Sequence, residues 1–224
     1  MAVESGRAQG VAVPYFRGLI NNLKLTNMAK LKDITPYMAK KIRKNLQMYF
    51  DLATQDQIES GKHWYYNAHD ICTELAGKHY NHETVAGVMS ALSPRNKWER
   101  NIIDAGTVLR AVVDGLLPEY VKVCTFNTNK FKAFEIAKGN TVIDATSRKT
   151  YSFIRNMAHL DADRVTVDVW HLRACFGKNI DSGLTPKRYD IIEAITLDEA
   201  EKVGLNGFEY QAIIWEVVRE RNDF

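Results

Sequence analysis

The chain has 224 residues, 46% hydrophobic and 25% charged, the balance of a soluble globular protein with a sizeable core, which excludes a disordered or low-complexity chain. A net charge of +3, from 30 basic and 27 acidic residues, is too mild to establish a polyanionic partner by itself. Three widely spaced cysteines, Cys72, Cys124 and Cys175, form no CxxC pair or Cys/His ladder; this argues against a disulfide framework, a zinc ribbon and an iron–sulfur cluster, and each thiol reads as core filler. With no apolar leader and no 18-residue apolar run, the expected setting is the cytoplasm, that of the host for a viral chain, with no membrane partner.

Residues 1–33 are weakly patterned and read as an N-terminal extension to a helical domain over 34–224. Thr35-Pro36 is a helix start, with Thr as cap and Pro in the first helical position, and the helix runs to about Leu52. Trp64, Ala68, Ile71-Cys72 and Leu75-Ala76 predict a helix from His63 that ends at Gly77. Asn81 caps a third helix through Leu92, which Pro94 stops. A fourth spans Trp98 to Val113, ended by Gly115. Phe131 to Ala137 is a shorter helix before Gly139, and Arg148 to Met157 follows the turn Asp144-Ala145-Thr146-Ser147. Val165-Thr166-Val167 reads as extended, Asp168 opens a helix ended by Gly177, and Thr185-Pro186 repeats the first start signal. Thr196-Leu197-Asp198-Glu199 has the form of a capping box, and Phe208 to Arg219 closes the chain. Nine or ten helices with almost no strand signal predict an all-α protein, as one compact domain or two interlocked helical lobes.

Two positions carry chemistry. Lys149 stands near the start of a helix, where the dipole repels a cation; with burial, this lowers an amine's pKa and makes it a nucleophile. Its plain alternative is an exposed charged turn. Asp168 follows valine-rich sequence beside Trp170, a setting for a partly buried carboxylate that steadies a cation or activates a nucleophile. Its plain alternative is a helix cap. One helix and its return connection separate the two, so both helix N-termini can meet at one cleft. The six histidines show no paired-ligand pattern, and no metal or other cofactor is implied; His171, on the helix that Asp168 opens, is the one placed near the site.

Four segments in order resemble the helix-hairpin-helix (HhH-GPD) DNA glycosylase superfamily of the endonuclease III kind. Ile143 to Tyr151 falls on its L-P-G-x-G-x-K-T-A hairpin, and Val167-Asp168-Val169-Trp170-His171-Leu172-Arg173 on its V-D-T-H-x-x-R segment. Val88 to Pro94 is similar to the apolar helix that ends in L-S-A-Q before the wedge into DNA, and Asn127 to Ala133 to the N-x-K-A helix start. Among its members the nearest likeness is to uncharacterised phage proteins with S-P-x-x-x-W-E-x-N and K-T-x-S-F-x-x-N segments, matched by Ser93–Asn101 and Lys149–Asn156. The hairpin's two glycines are replaced by Ala145 and Ser147, and the superfamily's C-terminal cysteine cluster is missing, so no iron–sulfur cluster is implied.

The resemblance implies a DNA cleft and a DNA glycosylase acting on a flipped, modified or damaged base, with a Schiff-base lyase step available to Lys149. Lys149 would attack C1′ of the target nucleotide, and Asp168 would assist it and stabilise the sugar cation. Ser93, Arg95, Asn96, Lys97 and Trp98 are the expected wedge and strand contacts, and Arg148, Thr150 and His171 the expected contacts around the hairpin. Two other functions stay open. One is a phage enzyme that modifies a 5-hydroxymethylpyrimidine-derived base without strand cleavage; the other is a DNA-binding protein without turnover.

Overall fold

A computed structural model describes residues 34–177 and 184–221. The expectation for residues 1–33 lies outside the described residues. Among those described the chain is all-α: nine α-helices, one 3-10 turn at Pro118–Tyr120, and no strand. The helices are α1 (Pro36–Asp51), α2 (Gln55–Ala76), α3 (His82–Leu92), α4 (Trp98–Val113), α5 (Asn127–Ala137), α6 (Arg148–His159), α7 (Val169–Phe176), α8 (Pro186–Lys202) and α9 (Gly207–Arg221). None is long and apolar enough to cross a membrane.

The starts of these helices follow from local chemistry. Thr35, Asn81, Asp168 and Thr185 each accept a hydrogen bond from a first-turn amide of the helix they open, satisfying a donor that has no intrahelical partner. α2 begins at Gln55, eight residues before the expected His63, because Thr54 and Gln57 close a capping box. α5 begins at Asn127 rather than Phe131. The expected capping box at Thr196 is not a helix start. α8 runs through it, and the Thr196 hydroxyl donates back to the Ile192 carbonyl (2.9 Å), in the manner of a threonine inside a helix. Cys72 and Cys175 are buried as expected, but Cys124 is exposed, in the connection between the 3-10 turn and α5.

Two buried apolar clusters form. The first gathers α2, α3, α4, α5 and α6 around Met89, Leu92, Val108, Phe134 and Met157. The second gathers α1, α7, α8 and α9 around Ile42, Leu46, Ile192, Tyr210 and Ile214, and includes Val165 and Val167 of the extended segment. α9 joins them: Phe208 and Ala212 face the first cluster, while Tyr210, Ile214, Val217 and Val218 face the second. α9 packs closely on α2. At the crossing, Gly61 lies so near Ile213 that an added Cβ would come within 2.6 Å of the Ile213 Cα.

An aromatic group stands where α2, α4, α6 and α9 meet. The Trp64 ring contacts Trp98 (4.8 Å between centroids), Trp215 (5.4 Å) and Phe153 (6.3 Å). Burial of such rings adds to the packing between helices from both ends of the chain.

Candidate active site

Lys149 is the second residue of α6, after Arg148 and the N-cap Ser147. The turn before it is organised by Asp144, whose Oδ1 accepts from the Thr146 amide (2.9 Å). The Lys149 side chain is exposed, so the expected burial is corrected: the amine stands in solvent at the start of the helix, not in a low-dielectric pocket. Thr150 is partly buried.

Asp168 caps α7 through a 2.8 Å hydrogen bond from the His171 amide. Its carboxyl is held above the usual carboxylate range, first by burial. The His171 amide, the Lys149 charge and the Trp170 amide pull the other way, in that order. Lys149 therefore lies close enough to Asp168 for its charge to count, although the two side chains sit on different helices. The buried Tyr65 phenol of α2, which donates to Gln211 Oε1 (3.1 Å), also lies within reach of the Asp168 charge. A carboxylate with raised proton affinity beside an accessible amine can take up the proton that the amine must lose before it attacks an electrophile.

The extended segment before Asp168 has no neighbouring strand. Three of its backbone groups bond to side chains of α8. Tyr189 Oη donates to the Val165 carbonyl (2.7 Å) and accepts from the Val167 amide (3.1 Å). Glu193 Oε1 accepts from the Val165 amide (2.9 Å) and from Ser152 Oγ of α6 (3.4 Å), while Arg164 lies 3.6 Å from Oε2. The Asp168 amide then donates to the Thr166 carbonyl (3.0 Å), turning the chain into α7.

Two residues expected around the hairpin are engaged within the protein. Arg148 forms a two-point ion pair with Asp190 of α8, at 2.5 Å from Nε and 3.1 Å from Nη2. His171 is corrected as a DNA contact. It is 1% exposed, with Nε2 at 2.9 Å from Thr196 Oγ1. The Thr196 hydroxyl proton is already given to Ile192, so Nε2 must carry the imidazole proton. His171 therefore serves the packing of α7 on α8.

That burial gives a pH-dependent stability. The imidazole is pushed down to about 4, from an ordinary 6.5, by burial. Above pH 6.5 it is neutral in both folded and unfolded chains and contributes no slope. As pH falls from 6.5 towards 4, only the unfolded chain gains the proton, so stability falls. Between pH 6.5 and 4.5 the native protein is expected to lose about 2–3 kcal/mol more stability than His171→Leu. Urea unfolding at the two pH values checks this, and parallel losses in both proteins would refute it.

The expected wedge residues form one turn between α3 and α4. Ser93 Oγ donates to the Ser90 carbonyl (2.9 Å) at the C-terminus of α3. Arg95 is exposed in a left-handed conformation (φ 58°), with its guanidinium 5.7 Å above the Phe126 ring. Asn96 donates to Asp104 (3.0 Å), a buried carboxylate that also accepts from Arg100 (2.8 Å) and the Cys124 amide (2.8 Å). Asp104 thus fastens this turn to α4 and to the connection before α5. Lys97 is exposed at the head of α4. Trp98 is partly buried and packs on Trp64. Contacts running from Trp98 through Trp64 and Phe153 to Tyr65 link this turn towards Asp168. Sequence reasoning passed over Tyr189, Asp190 and Glu193. The Thr185-Pro186 signal marks their helix, but no local pattern says which segment that helix supports.

The structure thus defines an all-helical protein with an exposed lysine in the first turn of one helix and a capping carboxylate at the head of another, whose proton affinity the lysine charge lowers. The chain belongs to DUF7178, a family of unknown function, whose match covers residues 28–222. No curated protein and no solved structure matches it.

Proposed function

We propose that the protein is a DNA glycosylase acting on a base turned out of its helix, with Lys149 as the nucleophile and Asp168 as its assisting carboxylate. The observation that carries this reading is the placement of the two groups: Lys149 is exposed in the first turn of α6, and Asp168 caps α7, where the Lys149 charge lowers its proton affinity. The resemblance of these two segments to the superfamily's hairpin and V-D-T-H motif supplies the substrate class.

In this mechanism Asp168 takes a proton from the Lys149 ammonium. The free amine attacks C1′, so the Nζ–C1′ bond forms as the glycosidic C1′–N bond breaks. The base leaves with the bonding electron pair and takes up the proton that Asp168 received, which returns Asp168 to a carboxylate. Opening of the sugar ring then gives a Schiff base between Lys149 and C1′, which water hydrolyses or elimination resolves. Asp168 also offsets the positive charge that develops on the sugar. Unstacking the target base costs a few kcal/mol, offset by contacts made in the turned-out state; the Ser93–Trp98 turn, with exposed Arg95 and Lys97, is the surface assigned to strand contact.

The test is product analysis by mass spectrometry after incubation with plain, abasic and phage-type modified DNA in the presence of borohydride. Freed base with a protein–DNA adduct is the expected result. An altered base in uncut DNA would replace this reading with base modification in place, and tight binding without any product would replace it with a DNA-binding protein lacking turnover.

Asp168→Asn is expected to slow the reaction by about 100-fold or more, the range for loss of a general base, with DNA affinity unchanged within a few fold. The Asn side chain keeps an oxygen that can accept from the His171 amide, so the cap survives. Single-turnover rates and thermal unfolding separate the outcomes: a native rate, or loss of the fold, would reduce Asp168 to a cap.

A further inference from the structure

The segment 164–168 is unusual within this fold. It is extended, buried at residues 165–167 and paired with no strand among the described residues, and the Val165 amide, the Val165 carbonyl and the Val167 amide are held by two side chains of one helix. A buried backbone amide or carbonyl without a partner is costly, so whatever satisfies these groups also fixes where the segment lies. Tyr189 does this twice with a single oxygen, accepting from Val167 and donating to Val165. Glu193 fixes the Val165 amide and reaches Ser152 on α6, three residues after Lys149 on that helix. α8 therefore touches both the segment that ends in Asp168 and the helix that carries Lys149 in its first turn.

We propose that Tyr189, assisted by Glu193, is the positioning residue of the Lys149–Asp168 pair, holding the extended segment so that the Asp168 carboxyl stays at a fixed place beside the amine. Misplacement of about 1 Å between reacting groups costs on the order of 100-fold in rate, and sites of this precision rest on supporting hydrogen bonds rather than on the reacting groups alone. The proposal rests on the glycosylase reading for its consequence in rate, but not for its geometry.

Three variants test it. Tyr189→Phe removes one oxygen and leaves the ring. It is expected to lower the single-turnover rate of borohydride trapping at saturating abasic DNA about tenfold or more, with half-saturation unchanged within about twofold. Glu193→Ala removes the acceptor of the Val165 amide and of Ser152 Oγ and the partner of Arg164, but leaves both Tyr189 bonds to the segment in place, and is expected to lose about threefold. Glu193→Gln keeps an accepting oxygen and is expected to react at the native rate. Carboxyl ¹³C titration of Asp168 and hydrogen exchange at Val167 read the position directly. A segment that slips outward exposes Asp168 further to water, so its titration, set also by the His171 amide and by Lys149, moves to lower pH in Tyr189→Phe, and Val167 exchanges faster. Native trapping rates in folded Tyr189→Phe and Glu193→Ala overturn the proposal, as do unchanged Asp168 titration and Val167 exchange. If Tyr189→Phe does not fold, the same measurements on Glu193→Ala decide it. If the native protein traps no DNA, the glycosylase reading fails, and titration and exchange still decide the positioning role.

Discussion

Lys149→Ala is expected to abolish borohydride trapping of DNA while leaving DNA affinity within a few fold and the fold intact. The side chain is exposed and occupies the second position of α6. Alanine is the best helix former, and removing a cation from a helix N-terminus relieves a small repulsion with the dipole, so stability should stay within about 0.5 kcal/mol of the native value or rise slightly. Loss of one cation among several that face a phosphate backbone weakens binding modestly and lowers its salt dependence by about one unit of slope. On the glycosylase reading the chemistry has no such reserve, because the attacking amine itself is removed. Trapping by native protein and Lys149→Ala on the same abasic duplex, with binding measured in parallel at two salt concentrations, separates these effects. A Lys149→Ala protein that still traps at the native rate would remove Lys149 from the mechanism.

Gly61→Ala is expected to destabilise the protein by about 3 kcal/mol or more, at or beyond the upper end of the usual cost of overpacking. Two effects oppose each other here. Within an α-helix, alanine is favoured over glycine by up to about 1 kcal/mol. Against that, the new Cβ would stand 2.6 Å from the Cα, the backbone nitrogen and Cγ1 of Ile213. Two of these three atoms are backbone, so no rotamer change relieves the contact, and α9 must move away from α2. α9 feeds both buried clusters, so the displacement would be felt in each. Urea or thermal unfolding measures the difference. A Gly61→Ala protein as stable as the native one would show that the two helices can separate at little cost, and that their close crossing is not what joins the lobes.

Much of the fold is legible locally. Thr35, Asn81, Asp168 and Thr185 mark helix starts because a short polar side chain before an apolar-patterned run has one favourable partner, the first-turn amide. Gly77, Gly115, Gly139 and Gly177 all adopt positive φ at the ends of helices or in the turns just beyond them, where a side chain would be strained. The missed start at Gln55 has a local cause as well: α2 opens with a polar, largely exposed stretch, and the apolar stripe that announces a helix begins only later. Thr196 misled for the opposite reason. The four-residue pattern there is that of a cap, but Ile192 and Ile195 are buried on the preceding turn, and their packing carries α8 straight through.

What the sequence by itself determined is the inventory: an all-α chain, most of the helix starts, and a lysine and an aspartate each placed at the head of a helix. These depend on interactions spanning three or four residues, which any unfolded segment already encodes. Only the tertiary structure decided which of these residues meet and which face solvent. Lys149 lies outward, while His171 turns inward to Thr196, and Arg148 is taken by Asp190, a residue of another helix. The approach of α2 to α9 at Gly61 and the support of residues 165–168 by Tyr189 and Glu193 join positions far apart in the chain. Such contacts arise from the packing of completed helices, where the shape and burial of both partners select one arrangement among many that the local pattern allows.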